Sequence, residues 1–215
     1  MNTSHTHAPC FAEVIQSTLT MCTAQAWDWE QSPSFGDLVC IEHTDMVVYG
    51  IVTSIETGST DPQRQPFAYQ KTEAELRAQH PQVFSFLKTT FTIALAGYTA
   101  RNTTHGLRYT IPPTPARIHA FVRPTTAPEQ EAFFATPHFF SVLWSSTGQD
   151  PLLDELIITL LASLISRNIL TPELFEQYYH TLTLLLGNDY RRLKILLQRL
   201  EGPYASTVEK KMHLA

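Results

Sequence analysis

The sequence lacks the short motifs that mark the common enzyme classes. Its 215 residues contain no GxxxxGK[ST] phosphate loop, no GxSxG nucleophile elbow, no HExxH zinc motif, no GxGxxG fingerprint and no EF-hand loop. Catalytic groups can be assembled in space from distant positions, so these absences lower the expectation of an enzyme without excluding one. We therefore expect no catalytic residues, no metal site and no cofactor.

The chain is also poor in positive charge. It has 15 Lys and Arg against 20 Asp and Glu, and a formal net charge of -5. Neither the part before Pro124 nor the part after it has a basic surplus. Proteins that hold nucleic acid through phosphate contacts have such a surplus. We therefore do not expect a whole domain that binds DNA through its net positive charge.

The sequence has few cysteines, and they do not occur in closely spaced pairs. Cys10, Cys22 and Cys40 are the only three, no two of them form a CxxC motif, and all have apolar neighbours in the sequence. The spacing favours free thiols that act as small core residues over metal or redox chemistry. Free thiols indicate a reducing compartment.

Hydrophobic runs long enough for a membrane are missing. The longest, 152–165, is interrupted by acidic and hydroxyl side chains and is too short to span a bilayer. The polar segment 1–9 does not have the pattern of a signal peptide. We expect a cytoplasmic protein.

The first part of the chain has the composition of β-strands. Segments 11–27, 38–42, 46–56, 89–99, 107–111 and 117–123 are rich in Val, Ile, Thr and aromatic residues. Gly50, inside one such run, predicts a bulge or bend of the kind that closes small barrels. A helical insertion near 72–88 is predicted to begin at Thr72 and to break at Pro81. These patterns predict a β-barrel domain over 11–124.

After Pro124 the apolar period changes from two to 3.6 residues. Short helices are predicted over 129–135 and 138–145, and longer ones over 152–167, 171–187 and 189–200. Asp150 and Pro151 are the expected cap and first position of the clearest helix. The predicted fold class is α+β: a small closed or nearly closed antiparallel β-barrel, then an all-α region over 125–203. Segments 1–10 and 204–215 are predicted to be flexible tails.

Two stretches resemble a known family. Phe35-Gly36-Asp37-Leu38-Val39 and Val47-Val48-Tyr49-Gly50-Ile51-Val52 are similar to the HAS-barrel, the N-terminal barrel of HerA-type ATPases and rotary ATP synthase subunits. Further stretches resemble uncharacterised proteins of oxygenic photosynthetic bacteria that carry this barrel without an ATPase domain. They are 59–66, 112–122 and 187–193. The resemblance implies the fold much more than an activity. Without a phosphate loop, ATP hydrolysis by this chain alone is not expected.

Six residues are the candidates for contact with a partner. Asp61 and Arg64 lie in the polar 57–66 loop, Pro112 and Pro113 in a proline segment, and Arg117 and His119 just after it. For most of them a structural role is the alternative: Asp61 could cap a turn before Pro62, Arg64 could be solvated, and His119 could be a satisfied strand histidine.

The function predicted from these patterns is a non-enzymatic protein-interaction or assembly module whose partner is another protein. Homo-oligomerisation and contact with nucleic acid are left open, and no small-molecule cofactor is expected. The alternative is an accessory factor of nucleic acid or of a DNA-processing ATPase, which a basic stripe joining Arg64, Arg101, Arg108 and Arg117 would favour. A third possibility, an enzyme, would need a buried carboxylate beside His119 or His43 in a pocket.

Overall fold

Six antiparallel strands close into a barrel in the order β1-β2-β5-β4-β3-β6, with β6 pairing back onto β1. The structure is a computed structural model that describes residues 9–61, 63, 66–101, 106–147, 151–187 and 189–200. The strands are β1 (Ala12–Ser17), β2 (Met21–Ala26), β3 (Leu38–Glu42), β4 (Met46–Ser59), β5 (Leu87–Ala100) and β6 (Phe121–Pro124).

The barrel closes through bulges in its two longest strands. The pairing of β4 with β5 shifts register between Tyr49 and Gly50, and again between Val52 and Ser54. Bulges increase the local bend and twist of a strand, which a six-stranded sheet needs in order to close. Gly50 lies where β4 is packed tightly against β5. A Cβ there would be 2.4 Å from Cγ2 of Ile93.

The strands are buried on both faces where β3, β4 and β5 meet the helices. Alternate residues point to opposite sides of a strand, so Val39 and Ile41 fill the barrel interior while Leu38 and Cys40 pack against the helices. The second core, between barrel wall and helices, contains a cluster of aromatic rings: Phe133, Phe134, Phe139, Phe140 and Tyr178.

Among the described residues, one short helix interrupts the barrel sequence and five follow it. The inserted helix is α1 (Glu73–Gln79), followed by a 3-10 turn (Pro81–Phe86). After β6 come α2 (Ala127–Phe134), α3 (Phe139–Thr147), α4 (Leu153–Ser166), α5 (Pro172–Leu186) and α6, which is helical over 190–200. No helix in the described part of the chain is long and apolar enough to cross a membrane.

Most of the predicted elements are confirmed. The 11–27 segment forms two short strands, the insertion begins with a capping box at Thr72 and breaks at Pro81, and Gly50 marks a bulge. In α4 the predicted apolar stripe is buried along its whole length. The α+β class with a closed barrel followed by helices is therefore confirmed.

Four predicted boundaries are wrong. Residues 107–111 form only an isolated bridge through Arg108, and the 117–123 strand begins only at Phe121 because a turn occupies 118–119. Strand β4 continues to Ser59, so the 57–66 loop is shorter than predicted. Helix α4 begins after Leu152 rather than at Pro151. Asp150, segment 204–215 and all of 1–10 except Pro9 and Cys10 lie outside the described residues.

Candidate docking surface

Four large apolar side chains are exposed on one part of the barrel wall. They are Ile15 of β1, Trp27 directly after β2, Ile118 in the turn before β6 and Phe121 of β6, with exposed fractions of 44%, 56%, 49% and 49%. Together with Glu13 and His119, which lie among them, we call these residues the β1–β6 patch. Contiguous exposed apolar side chains with polar groups among them are typical of interaction sites.

The register of the barrel explains why these side chains face outward. Ala12 pairs with Val122 and Glu13 pairs with Phe121. Ala12 and Val122 are fully buried in the barrel interior. Since successive residues of a strand point to opposite faces, Glu13 and Phe121 must point away from the interior.

Glu13 links the two sides of the patch. Its Oε1 lies 2.7 Å from Nδ1 of His119, and its Oε2 accepts a hydrogen bond of 3.4 Å from Nε1–H of Trp27. The indole ring of Trp27 in turn contacts the Phe121 ring edge to face, with 5.5 Å between ring centroids. One carboxylate therefore orients both an exposed tryptophan and an exposed histidine.

Three backbone hydrogen bonds fix the turn that contains His119. Ala120 N–H donates to the carbonyl of Arg117, His119 N–H donates to the carbonyl of Val14, and Val14 N–H donates to the carbonyl of Ala120. His119 has a φ of 69°, in the left-handed region that non-glycine residues rarely adopt. The three backbone hydrogen bonds offset the free-energy cost of that conformation, because they fix the turn against β1.

The structure separates the six candidate residues predicted from the sequence. His119 lies in the β1–β6 patch, and Arg117 is exposed in the same turn. Pro112 is buried and Pro113 is exposed. Arg64 lies outside the described residues.

Asp61 follows β4, and its carboxylate accepts a 2.9 Å hydrogen bond from the N–H of Gln63, which is the geometry of a turn cap. This geometry agrees with the structural alternative, and contact of Asp61 with a partner stays a prediction.

Of the six members of the patch, only His119 is among the contact residues predicted from the sequence. The β1–β2 hairpin brings Trp27 to Glu13, and the closure of β6 onto β1 adds Phe121, which is far away in the chain. The alternation in the N-terminal segment signals an outward-facing Glu13. No sequence signal identifies β6 as the neighbour of β1.

A cleft elsewhere in the described part of the chain also has polar side chains in its lining. This cleft of about 450 Å³ lies between barrel and helices, where Arg167 approaches Asp37 at 3.9 Å and donates to the side chain of Gln130 at 2.5 Å. Cys10 also lines it, and burial raises the pKa of this thiol. Among the described residues no group of three or more His, Cys, Asp or Glu could hold a metal ion.

Comparison with known proteins identifies the barrel. Residues 11–101 match the family model of the HAS barrel domain. The matched segment contains β1 to β5, and the structure adds β6 as the strand that completes the barrel. No curated protein matches the chain significantly.

Proposed function

Because residues 11–101 form a HAS barrel domain, we propose that the chain is a non-enzymatic protein-interaction module that docks through the β1–β6 patch. The observation that carries the proposal is the Trp27–Phe121 pair, two large rings that are half exposed yet held in one geometry. Rigid aromatic side chains contribute large contact areas at little cost in conformational entropy, and tryptophan is enriched among the residues that dominate binding energies.

The polar members of the patch support a protein partner. Glu13 and His119 lie beside the aromatic pair and offer hydrogen-bonding groups at its rim. An apolar centre with polar groups around it is the usual composition of a protein–protein interface. Four clefts in the described part of the chain are lined by residues outside the patch.

The nucleic-acid alternative loses one arginine of the basic stripe that would favour it. Arg101 is paired with Glu42, whereas Arg108 and Arg117 are exposed and Arg64 lies outside the described residues. Arg77 of the insertion lies over the half-buried rings of Trp29 and Phe84 and is paired with Glu30 and Glu73. Paired guanidinium groups contribute little net positive potential to a surface.

An enzymatic role would rest on His119 and Glu13, the one histidine–carboxylate pair in the patch. The pair is in hydrogen-bonding geometry, but the side chain of His119 is 77% exposed to solvent. General acid–base catalysis needs a site that positions a substrate against the pair and screens it from water. The convex barrel wall does not supply such a site, so we propose a docking role instead.

The experiment is an affinity isolation of the full chain from cells that express it, followed by mass spectrometry. Trp27→Ser removes the exposed indole, and Tyr190→Ser removes an aromatic ring of similar exposure from α6 as the matched control. We expect the wild type and the control to retain one protein partner in stoichiometric amount, and Trp27→Ser to lose it at least about ten-fold. Retention of the same partner by Trp27→Ser, or recovery of no stoichiometric partner at all, would overturn the proposal. Circular dichroism of each variant establishes that it is folded.

A further inference from the structure

Over the last residues of β4, no strand of the described part of the chain lies beside its outer edge. Strand β3 pairs with β4 only from Val47 to Ile51, whereas β4 continues to Ser59 with β5 as its partner. In the described part of the chain, no backbone hydrogen bond reaches the other side of β4 beyond Val52. The barrel is therefore closed around its middle and leaves one open edge at the end of the β4–β5 ribbon.

A turn before β3 leaves this edge open. Gly36 N–H donates to the carbonyl of Val52, and Val52 N–H donates to the carbonyl of Asp37, which are the last bonds along that side. Gly36 has a φ of 84°, and the carboxylate of Asp37 accepts a 2.8 Å bond from Ser34 N–H. On the N-terminal side of Gly36 the chain therefore turns away from β4. It does not extend β3 further along β4.

The alternation of the ladder identifies which groups face the edge. Thr60 N–H donates to the carbonyl of Phe86, so Thr60 bonds toward β5. Backbone groups of a strand point alternately to its two sides. The N–H and C=O of Ile55, Thr57 and Ser59 therefore point to the open edge. The 2.8 Å contact between the Oγ1 atoms of Thr57 and Thr89 agrees, because side chains are closest in pairs without backbone bonds.

We infer that an extended segment of a partner protein adds to this edge as a further strand in line with β3. Unpaired N–H and C=O groups at the spacing of alternate strand residues are complementary to another extended backbone. The inference rests on the proposed interaction role, but it uses a surface that lies three strands from β1 in the barrel.

A peptide segment fits this edge better than a second copy of the chain does. The open edge spans only 55–59, and pairing over so short a stretch buries far less than the roughly 1,000 Å² of a specific protein–protein interface. An extended segment that needs only a few backbone hydrogen bonds is the occupant of suitable size. Self-pairing is the alternative outcome of the test.

The test selects binders from a library of random linear peptides displayed on phage, using the full wild-type chain as the target. Thr57→Pro removes an N–H that faces the edge, a substitution that edge strands tolerate. Thr57→Ala is the matched control, since it keeps the N–H and loses only the side chain. Selected peptides are expected to bind Thr57→Pro at least about ten-fold more weakly than the wild type, and Thr57→Ala within about two-fold.

Two further measurements distinguish a failure of strand pairing at β4 from misfolding of Thr57→Pro and from a failure of the β1–β6 patch. Methylation of single backbone nitrogens of a selected peptide should abolish binding to the wild-type chain at alternate positions only, which tests strand pairing even where Thr57→Pro fails to fold. Trp27→Ser should leave peptide binding unchanged, whereas it removes the partner of the β1–β6 patch. Failure to select any peptide, equal binding to Thr57→Pro, or self-association that this variant removes would overturn the inference.

Discussion

Arg123 and Glu129 form a two-pronged ion pair that joins the last strand of the barrel to the first helix after it. Nη1 and Nη2 of Arg123 donate to the two carboxylate oxygens of Glu129 at 2.9 Å and 2.7 Å. The side chain of Arg123 is only 1% exposed, and its Nε donates to Glu42 of β3 at 2.6 Å. This arrangement satisfies a buried guanidinium on both sides.

Glu129 is also the acceptor of the capping box of α2. It accepts hydrogen bonds from the backbone N–H and the Oγ1 of Thr126, at 2.8 Å and 2.9 Å. The same carboxylate thus begins the helix and holds it against the barrel. Burial alone would raise the pKa of Glu129, but the bonds from Arg123 and Thr126 outweigh it and lower the pKa to about 2.

Glu129→Gln is expected to reduce stability in a pH-dependent way. A carboxyl whose pKa is lower in the folded state stabilises it fully above its unfolded pKa and loses that effect as pH falls through the folded value. The shift from 4.5 to about 2 corresponds to roughly 3 kcal/mol at pH 7. Urea unfolding of wild type and variant should show this difference at pH 7 and less than about half of it at pH 3.

Glu131→Gln is the matched control for that measurement. Glu131 lies on the same helix and is exposed. We expect its substitution to change the free energy of unfolding by less than about 0.5 kcal/mol at either pH. An equal effect of both substitutions, or an effect of Glu129→Gln that does not fall with pH, would contradict the role assigned to the ion pair.

Gly50→Ala is expected to destabilise the barrel by about 2 kcal/mol or more. The added Cβ would lie 2.4 Å from the side chain of Ile93 and 2.9 Å from the backbone oxygen of Ala94, which cannot move without disturbing the ladder. Gly58→Ala, in the same strand, is the control because its Cβ would meet no atom within 4 Å. Thermal or urea unfolding of the two variants tests the prediction, and equal losses would show that close packing at Gly50 is not the cause.

Much of the fold could be predicted from local patterns in the sequence. The strand predicted over 38–42 matches β3 to the residue, and the apolar stripe of α4 is buried as its period predicts. The bulge at Gly50 could be predicted because a glycine inside a strand run often marks a bulge, a tight bend or a close backbone approach. Each of these features depends on residues close together in the chain, where side-chain period and backbone preference act directly.

The turn before β6 and the docking surface could not be predicted in this way. The 117–123 segment alternates like a strand, but His119 takes a positive φ because its N–H bonds to Val14, a residue more than a hundred positions away. The contact of Glu13 with His119 likewise follows from the closure of the barrel, whereas its contact with Trp27 follows from the β1–β2 hairpin. Local composition carries no information about which strand β6 will join.

The three cysteines are expected to differ sharply in reactivity. Burial raises the pKa of Cys22 to about 12, and burial also raises the pKa of Cys40, although nearby Arg123 opposes the shift. Cys10 is only partly buried. Since the thiolate is the reactive form, a thiol reagent at pH 8 should label Cys10 in the native protein and all three thiols after unfolding. Rapid native labelling of Cys22 or Cys40 would contradict their burial in the two cores.

Arg192 of α6 and Asp154 of α4 are expected to couple energetically. Three hydrogen bonds of 2.6–3.0 Å join them, and the guanidinium carbon of Arg192 lies 5.4 Å from the centroid of the Trp144 ring. Both side chains are partly exposed, so a double-mutant cycle with alanine should give a coupling of about 0.5–1 kcal/mol.

The neighbouring Arg191 provides the control for this cycle. It is exposed on the same helix, and its cycle with Asp154 should give no coupling within error. Added salt should reduce the Arg192–Asp154 coupling, because partly exposed ion pairs are screened. If both cycles give zero, the ion pair contributes nothing measurable. The attachment of α6 would then depend on its buried leucines, Leu193, Leu196 and Leu200, and on the exposed ion pair of Arg199 with Glu155 of α4.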